Sequence, residues 1–247
     1  MIKIDRDWGK EITQRVSKIK QILLDSGSSG IAFGSSGGKD SALVGILCKM
    51  ATDNIVGVIM PCESASNYNQ DLKDAMLLGR TYSIDHVIVD LTDTKKTLLT
   101  AINRDISVSE VANINMNPRL RMATLYAIAT SHNYLVAGTG NRSEIHMGYF
   151  TKWGDGAFDL NPIQDLTKTE IFDFLRHLNA PEIFYTKAPS AGLFEGQTDE
   201  ADMGLTYDEL DTYLLTGIKG NNFYKIEKTH KSTQHKRISN FENHPTM

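Results

Sequence analysis

The chain has 247 residues and a net charge of −4, from 26 Lys and Arg against 30 Asp and Glu. With 40% hydrophobic and 23% charged residues it can bury a full core, which excludes disordered and collagen-like classes. The acidic balance argues against a nucleic-acid coat. Cys48 and Cys62 are too few for a disulfide scaffold or a CxxC zinc site, and no apolar run suits a membrane span or a leader, so a cytoplasmic protein is expected.

Trp8, Ile12, Val16, Ile19 and Leu23 recur at helical spacing and predict an amphipathic first helix, ended by the Ser/Gly run 26–30. Residues 30–34 read as a short apolar strand, followed by a Gly/Ser loop and a helix over about 40–51. A second buried strand covers 55–60 and stops at Pro61; a helix over 68–81 and a third strand over 86–90 follow. Helical segments are expected near 93–103. Asn117-Pro118 reads as a helix start, with Asn as cap and Pro at the first helical position, and that helix runs to about 131. Residues 134–138 form the fourth strand.

Continuous apolar strands alternating with helices predict a doubly wound parallel sheet, the α/β class, covered on both faces. Ligands in that architecture bind outside the strands' carboxyl ends. From Gly148 the chain becomes rich in glycine and aromatics. A helix near 167–178 is followed by a long irregular loop over 186–206 and an acidic helix near 207–215. The basic tail over 219–237 carries six cations against Glu227 and reads as a solvated helix face more readily than as a flap over an anion. No linker separates independent domains. The expectation is one domain, residues 1–247, with a core over about 1–185 and C-terminal lid segments over about 186–240.

The most informative segment is Gly34-Ser35-Ser36-Gly37-Gly38-Lys39-Asp40-Ser41, between the first strand and a helix. Glycines let backbone N–H groups turn onto an anion, and the helix N-terminus adds a positive dipole end. It is not a Walker A loop, because Phe33 stands where a glycine belongs and Asp40 where a hydroxyl belongs. A carboxylate beside a triphosphate needs a divalent cation between them, so Asp40 reads as a Mg²⁺ ligand. The bland alternative is a Gly/Ser turn with Asp40 as a helix cap.

This loop is similar to the SGGxDS pyrophosphate loop of the N-type ATP pyrophosphatases. Later motifs resemble the ammonia-dependent NAD synthetase family within that group. They are Asn117-Pro118-Arg119-Leu120-Arg121-Met122, Gly138-Thr139-Gly140-Asn141-Arg142-Ser143-Glu144, the loop Gly148 to Gly156, Asp159-Leu160-Asn161-Pro162, Leu166-Thr167-Lys168, Ala188-Pro189-Ser190, Gly196-Gln197-Thr198-Asp199-Glu200 and His235-Lys236-Arg237. The resemblance implies an adenine nucleotide alpha hydrolase-like fold. It also implies ATP as co-substrate, with deamido-NAD adenylated and then attacked by ammonia to give NAD, AMP and pyrophosphate.

By that resemblance Ser36, Gly37, Gly38 and Ser41 form the pyrophosphate loop, and Asp40 and Glu144 ligate Mg²⁺. Lys39 either adds a phosphate contact or faces solvent. Thr139 contacts ATP, its alternative being the cap of the next helix. Lys168 and Ser190 hold ATP phosphates. Arg119, Lys152, Asp159, His235 and Lys236 bind deamido-NAD, while Arg121 is structural. Asp155 holds ammonium or accepts its proton, or is a plain Gly-Asp-Gly turn. Cys62 either lines the adenine pocket or is a buried inert thiol. Members of the family are homodimers. Two other readings stay open: the same adenylation chemistry on another acceptor, such as a nucleotide or a tRNA base, and a nucleotide sensor without turnover.

Overall fold

The structure is a computed structural model that describes residues 6–63, 68–186 and 198–238. Helix α1 (Trp8–Ser26) starts where the Asp7 side chain accepts the Lys10 amide, and stops at Gly27 in the left-handed region. Strand β1 (Gly30–Gly34), helix α2 (Lys39–Ala51) and strand β2 (Ile55–Ile59) follow. Next come α3 (Gln70–Tyr82), β3 (Asp85–Ile88), α4 (Thr92–Ile102), α5 (Glu110–His132) and β4 (Tyr134–Ala137). The second part holds α6 (Arg142–Met147), α7 (Lys168–His177), α8 (Ile183–Thr186), α9 (Asp199–Met203), α10 (Tyr207–Thr216), α11 (Phe223–Ser232) and a 3₁₀ turn, Gln234–Lys236.

The sheet is parallel throughout, in the order β3-β2-β1-β4. The order reverses beside β1, so a crevice opens over the carboxyl ends of β1 and β4. Side chains alternate across the sheet. Ile31, Phe33 and Ile55 face one core with α1, α2, α3 and α7, while Ala32, Val56, Val58 and Val136 face the other with α5. This is the doubly wound architecture the apolar strands predict.

Three expectations need correction. The helix expected to start at Asn117 begins earlier. Ser109 caps α5 and Pro118 lies inside it. Packing outweighs the missing N–H there: Asn117 is buried and accepts from Cys62 Sγ at 3.4 Å, and Gly154 leaves room for the Pro118 ring. Coverage on both faces holds for β1 and β2 but not for β3, where Val87 and Ile88 are 43% and 54% exposed. An edge strand has one neighbour, and its outer side lies open. The irregular loop over 186–206 contains helix α9, held by Thr198 and by left-handed Gly204.

The basic tail is a solvated helix face only in part. Lys228 and Lys231 are exposed on α11. Beyond it, Lys236 Nζ donates to the Gly148 and Phe150 carbonyls at 2.8 Å each, and Arg237 donates to those of Ile145 and His146 at 3.2 Å. These carbonyls lie at and just beyond the C-terminus of α6, where orphan acceptors and the dipole favour cations. Met147, Met203, Leu205, Tyr207, Leu210 and Ile226 form a third core beneath α9, α10 and α11.

Phe174 is fully buried in the first core and stacks on Trp8 with ring centroids 4.7 Å apart. Phe174→Ala should destabilise the chain by about 3–5 kcal/mol, as large-to-small aromatic changes in cores do. A guanidinium unfolding midpoint equal to that of the native chain would show that α7 is not packed as described.

Candidate active site

The turn after β1 is shaped by glycine. Gly37 has φ +75°, and a Cβ there would lie 2.3 Å from the Asp71 carbonyl oxygen. No other residue fits that backbone without moving α3. Ser36 Oγ lies 3.1 Å from Ser41 Oγ, and Ser41 Oγ donates to the Gly38 carbonyl at 2.9 Å. Gly38 caps α2, which places Asp40 inside its first turn and leaves the carboxylate free of capping work.

Asp40 instead meets two partners from distant segments. Asn141 Nδ2 donates to its Oδ1 at 2.9 Å, and Lys168 Nζ donates to its Oδ2 at 2.9 Å. Lys168 Nζ also donates to Glu144 Oε1 at 2.7 Å. A single ammonium therefore bridges both acids expected to hold a metal, and Lys168 is only 2% exposed. Local structure delivers all three. Asn141 caps α6 in a capping box with Glu144, so Thr139 is not the cap; it lies in the turn between β4 and α6. Thr167 caps α7 in the same way and puts Lys168 at its first position. Asp211 of α10 ties these starts together, accepting from Ser143 Oγ at 2.5 Å and from the Thr169 amide at 2.8 Å.

The electrostatics of the pair are unequal. Loss of water works to raise Asp40, but the charges of Lys168 and Lys39 and the bonds from Lys168 and Asn141 outweigh it and hold its pKa below the ordinary range. In Glu144 the loss of water prevails over Lys168, and with the Asp40 charge pushes it up to about 7. Desolvation lowers Lys39 to about 8, with the Lys168 charge adding to it. Lys39 is buried with its ammonium 5.0 Å from the Phe172 ring centroid, which overturns the solvent-facing alternative. Tyr207 lies under Lys168, its ring centroid 5.0 Å from Nζ, and its hydroxyl donates to Asp199 Oδ2 at 2.9 Å.

A second group gathers on the loop 148–156. Lys152 Nζ donates to the His235 carbonyl at 2.7 Å, Arg119 Nη2 to the Lys152 carbonyl at 3.4 Å, and Lys236 to the loop carbonyls above. Asp155 Oδ1 accepts the Thr151 amide at 2.8 Å. Asp155 opens into a pocket of about 190 Å³ whose lining includes Glu144, Phe150, Phe158, Gln164 and Lys236. Asp155 is exposed at the pocket; desolvation by the protein around it raises its pKa, against the backbone bond from Thr151. The pocket thus joins Glu144 of the acid pair to Asp155 and to Lys236 of the expected acceptor residues.

Asp159 is placed differently. Its carboxylate accepts from the Val136 amide at 2.8 Å and from the Tyr126 hydroxyl at 3.1 Å, bracing the β4 edge. Arg121 is half-buried and donates to the Met60 carbonyl at 3.0 Å, as a structural residue would. Ser190 lies outside the described residues. Sequence reasoning missed Asn141, Asp199, Tyr207 and Asp211 as site residues. The Asn-x-x-Glu spacing of a capping box was a signal for Asn141; the other three converge only through the third core.

A family model described as NAD synthase matches residues 11–240. The chain is 42% identical over 235 residues to the NH(3)-dependent NAD(+) synthetase of Carboxydothermus hydrogenoformans, covering 94% of this chain and 96% of that protein. Among solved structures it is similar to an NMN synthetase from Francisella tularensis, with a TM-score of 0.90 and 32% identity, over 98% of this chain and 100% of that one. It is also similar to an NH3-dependent NAD synthetase from Campylobacter jejuni, with a TM-score of 0.76 and 29% identity over 95% and 97% of the two chains.

Lys168→Met leaves Asp40 and Glu144 facing each other without a cation. The variant should lose on the order of 3 kcal/mol of stability at pH 8. With the ammonium gone both folded-state carboxyl pKa values rise. Protonation then favours the folded chain, so the deficit should shrink as pH falls toward 5. Urea unfolding at the two pH values measures this, and an equal deficit at both would contradict the described pairing.

Proposed function

The chain belongs to the NAD synthase family, and from that premise we propose an ammonia-dependent ligase that amidates a nicotinate nucleotide using ATP. ATP is the co-substrate, deamido-NAD and ammonia are the other reactants, and NAD, AMP and pyrophosphate are the products. The observation that carries this reading is the convergence of the Gly/Ser turn, Asp40, Glu144 and Lys168 over the carboxyl ends of β1 and β4.

Magnesium suits the site. Two carboxylates already converge on one cationic atom, and among the described residues no group of three or more His, Cys, Asp or Glu forms a closed cage. An ion held by two carboxylates and shared with substrate phosphates fits that donor set. Bound there, the ion would supply charge to neutralise the phosphates and polarise the α-phosphorus. Asp40 and Glu144 hold it. Ser36, Gly37, Gly38 and Ser41, with the N-terminus of α2, donate to the leaving pyrophosphate. Lys39 and Lys168 add positive charge where negative charge develops. Thr139 and Ser190 complete the ATP contacts.

The acceptor's carboxylate oxygen attacks the α-phosphorus, the bond to the β-phosphate oxygen breaks, and pyrophosphate leaves. Arg119, Lys152, His235 and Lys236 position that acceptor beside the pocket, while Asp159, expected among them, braces β4. Ammonia attacks the carbonyl carbon of the mixed anhydride, AMP departs with its oxygen, and Asp155 accepts a proton from the nitrogen. The raised pKa of Asp155 suits a base. The described part of the expected lid, residues 198–238, flanks the site through Asp199, Tyr207 and Lys236, and residues 187–197 lie outside the described residues.

The high similarity to an NMN synthetase over its whole length supports a second reading, in which the acceptor is the mononucleotide rather than the dinucleotide. The enzyme is proposed to be a cytoplasmic homodimer. Its described residues contain no helix long and apolar enough to cross a membrane, and the exposed Val87, Ile88, Ile106 and Val111 offer apolar area to a second copy.

Purified protein with ATP, Mg²⁺, ammonium and deamido-NAD should release AMP and NAD, and release of ADP would overturn the reading. The same assay with nicotinate mononucleotide decides between the two acceptors by the ratio of kcat/KM values. Asp40→Asn should lower turnover by about a hundredfold or more, through lost charge stabilisation. Light scattering should give the mass of two chains; a monomer at micromolar concentration would remove the dimer.

A further inference from the structure

Two features of the acid cluster are unexplained by the ligand-free geometry. Lys168 occupies the point between Asp40 and Glu144. Both carboxylates can face a divalent cation only after that ammonium has moved, and it is too deeply buried to move into water. It needs another acceptor inside the protein.

Asp199 supplies one. Its side chain is 3% exposed, one oxygen accepts the Tyr207 hydroxyl, and the other, Oδ1, is buried without a hydrogen-bond partner. An unpaired buried carboxylate oxygen is costly and calls for a partner present in another state. Its charge acts on Lys168, Lys39 and Glu144. Tyr207 links the two groups, with its ring under the Lys168 ammonium and its hydroxyl on Asp199. Tyr149, whose hydroxyl lies within reach of both Asp202 and Asp199, has one proton and gives it to Asp202 at 2.7 Å, which leaves Asp199 Oδ1 without a donor.

We propose that Asp199 is a positioning residue for Lys168, the seat its ammonium takes when Asp40 and Glu144 turn to a metal ion. The inference rests on the metal role given to those two acids above. The ammonium crosses the face of the Tyr207 ring, which stabilises a cation along the way. In the second seat it remains paired and stays beside the phosphates of a bound nucleotide. Asp199 thereby lowers the cost of admitting the metal ion without touching it.

The test is a double-mutant cycle read by Mn²⁺ binding to the full chain without nucleotide, using the electron paramagnetic resonance signal of the free ion. In the native background Asp199→Asn should weaken Mn²⁺ binding about tenfold, because the displaced ammonium loses its acceptor. In a Lys168→Gln background, where no ammonium moves, the same change should cost less than about threefold. Tyr207→Phe, which keeps the ring and removes the bond that orients Asp199, should show the same dependence on Lys168. Equal weakening in both backgrounds would make Asp199 a general source of negative field or a structural residue, and would overturn the proposal. No weakening in either would do the same. Asp40→Asn separates the two levels. If it leaves Mn²⁺ binding unchanged, the metal site itself is misassigned and this inference falls with it. If it removes binding while the Asp199 cycle shows no coupling, only the inference falls.

Discussion

One ammonium organises the centre of this molecule. Lys168 Nζ holds Asp40 at 2.9 Å and Glu144 at 2.7 Å, and these three side chains come from three helices, α7, α2 and α6. Two carboxylates this close, shielded from water, are tolerable only with a cation between them. The constraint reaches outward. Each of the three side chains sits in the first turn of its helix, so every helix start must be placed accurately, and caps do that work: Gly38, Asn141 and Thr167. Asp211 then locks two of these starts to α10.

The sheet supplies the platform for that cluster. The turn after β1 and the start of α6 beyond β4 lie side by side because β1 and β4 are neighbours. The reversal of strand order there leaves the crevice uncovered by a crossover helix. The C-terminal helices close it from the side through a core of their own, which brings Tyr207 beneath Lys168 and Asp199 beside it. Lys236 and Arg237 cap the end of α6 and so fasten the chain's last described turn to the loop that carries Asp155. The acid cluster and the pocket beside Asp155 are in this way parts of one arrangement, sharing Glu144.

Much of the architecture is legible in the chain because its signals are local. Apolar runs in Ile31–Phe33 and over 55–59, punctuated by glycine and proline, specify buried parallel strands, and the Gly/Ser run specifies the tight turn after β1. Pro118 misleads because propensity is local too. Its cost inside α5 is offset by packing of Asn117 and Gly154, and that packing comes from segments distant in sequence. Lys39 could not be assigned for the same reason. Its burial depends on Phe172, far along the chain and folded against the N-terminus of α2.

What the order of residues settles by itself is the fold class and the Gly/Ser turn between β1 and α2. Those features rest on spacing and on backbone freedom within a few residues. Only the folded chain decides which charges neutralise which. It pairs Lys168 with both acids rather than leaving it open, diverts Asp159 to the β4 edge, and leaves one oxygen of Asp199 without a partner. Charge pairing in a low-dielectric interior depends on distances of a few ångströms between segments far apart in sequence, and no local pattern encodes those distances.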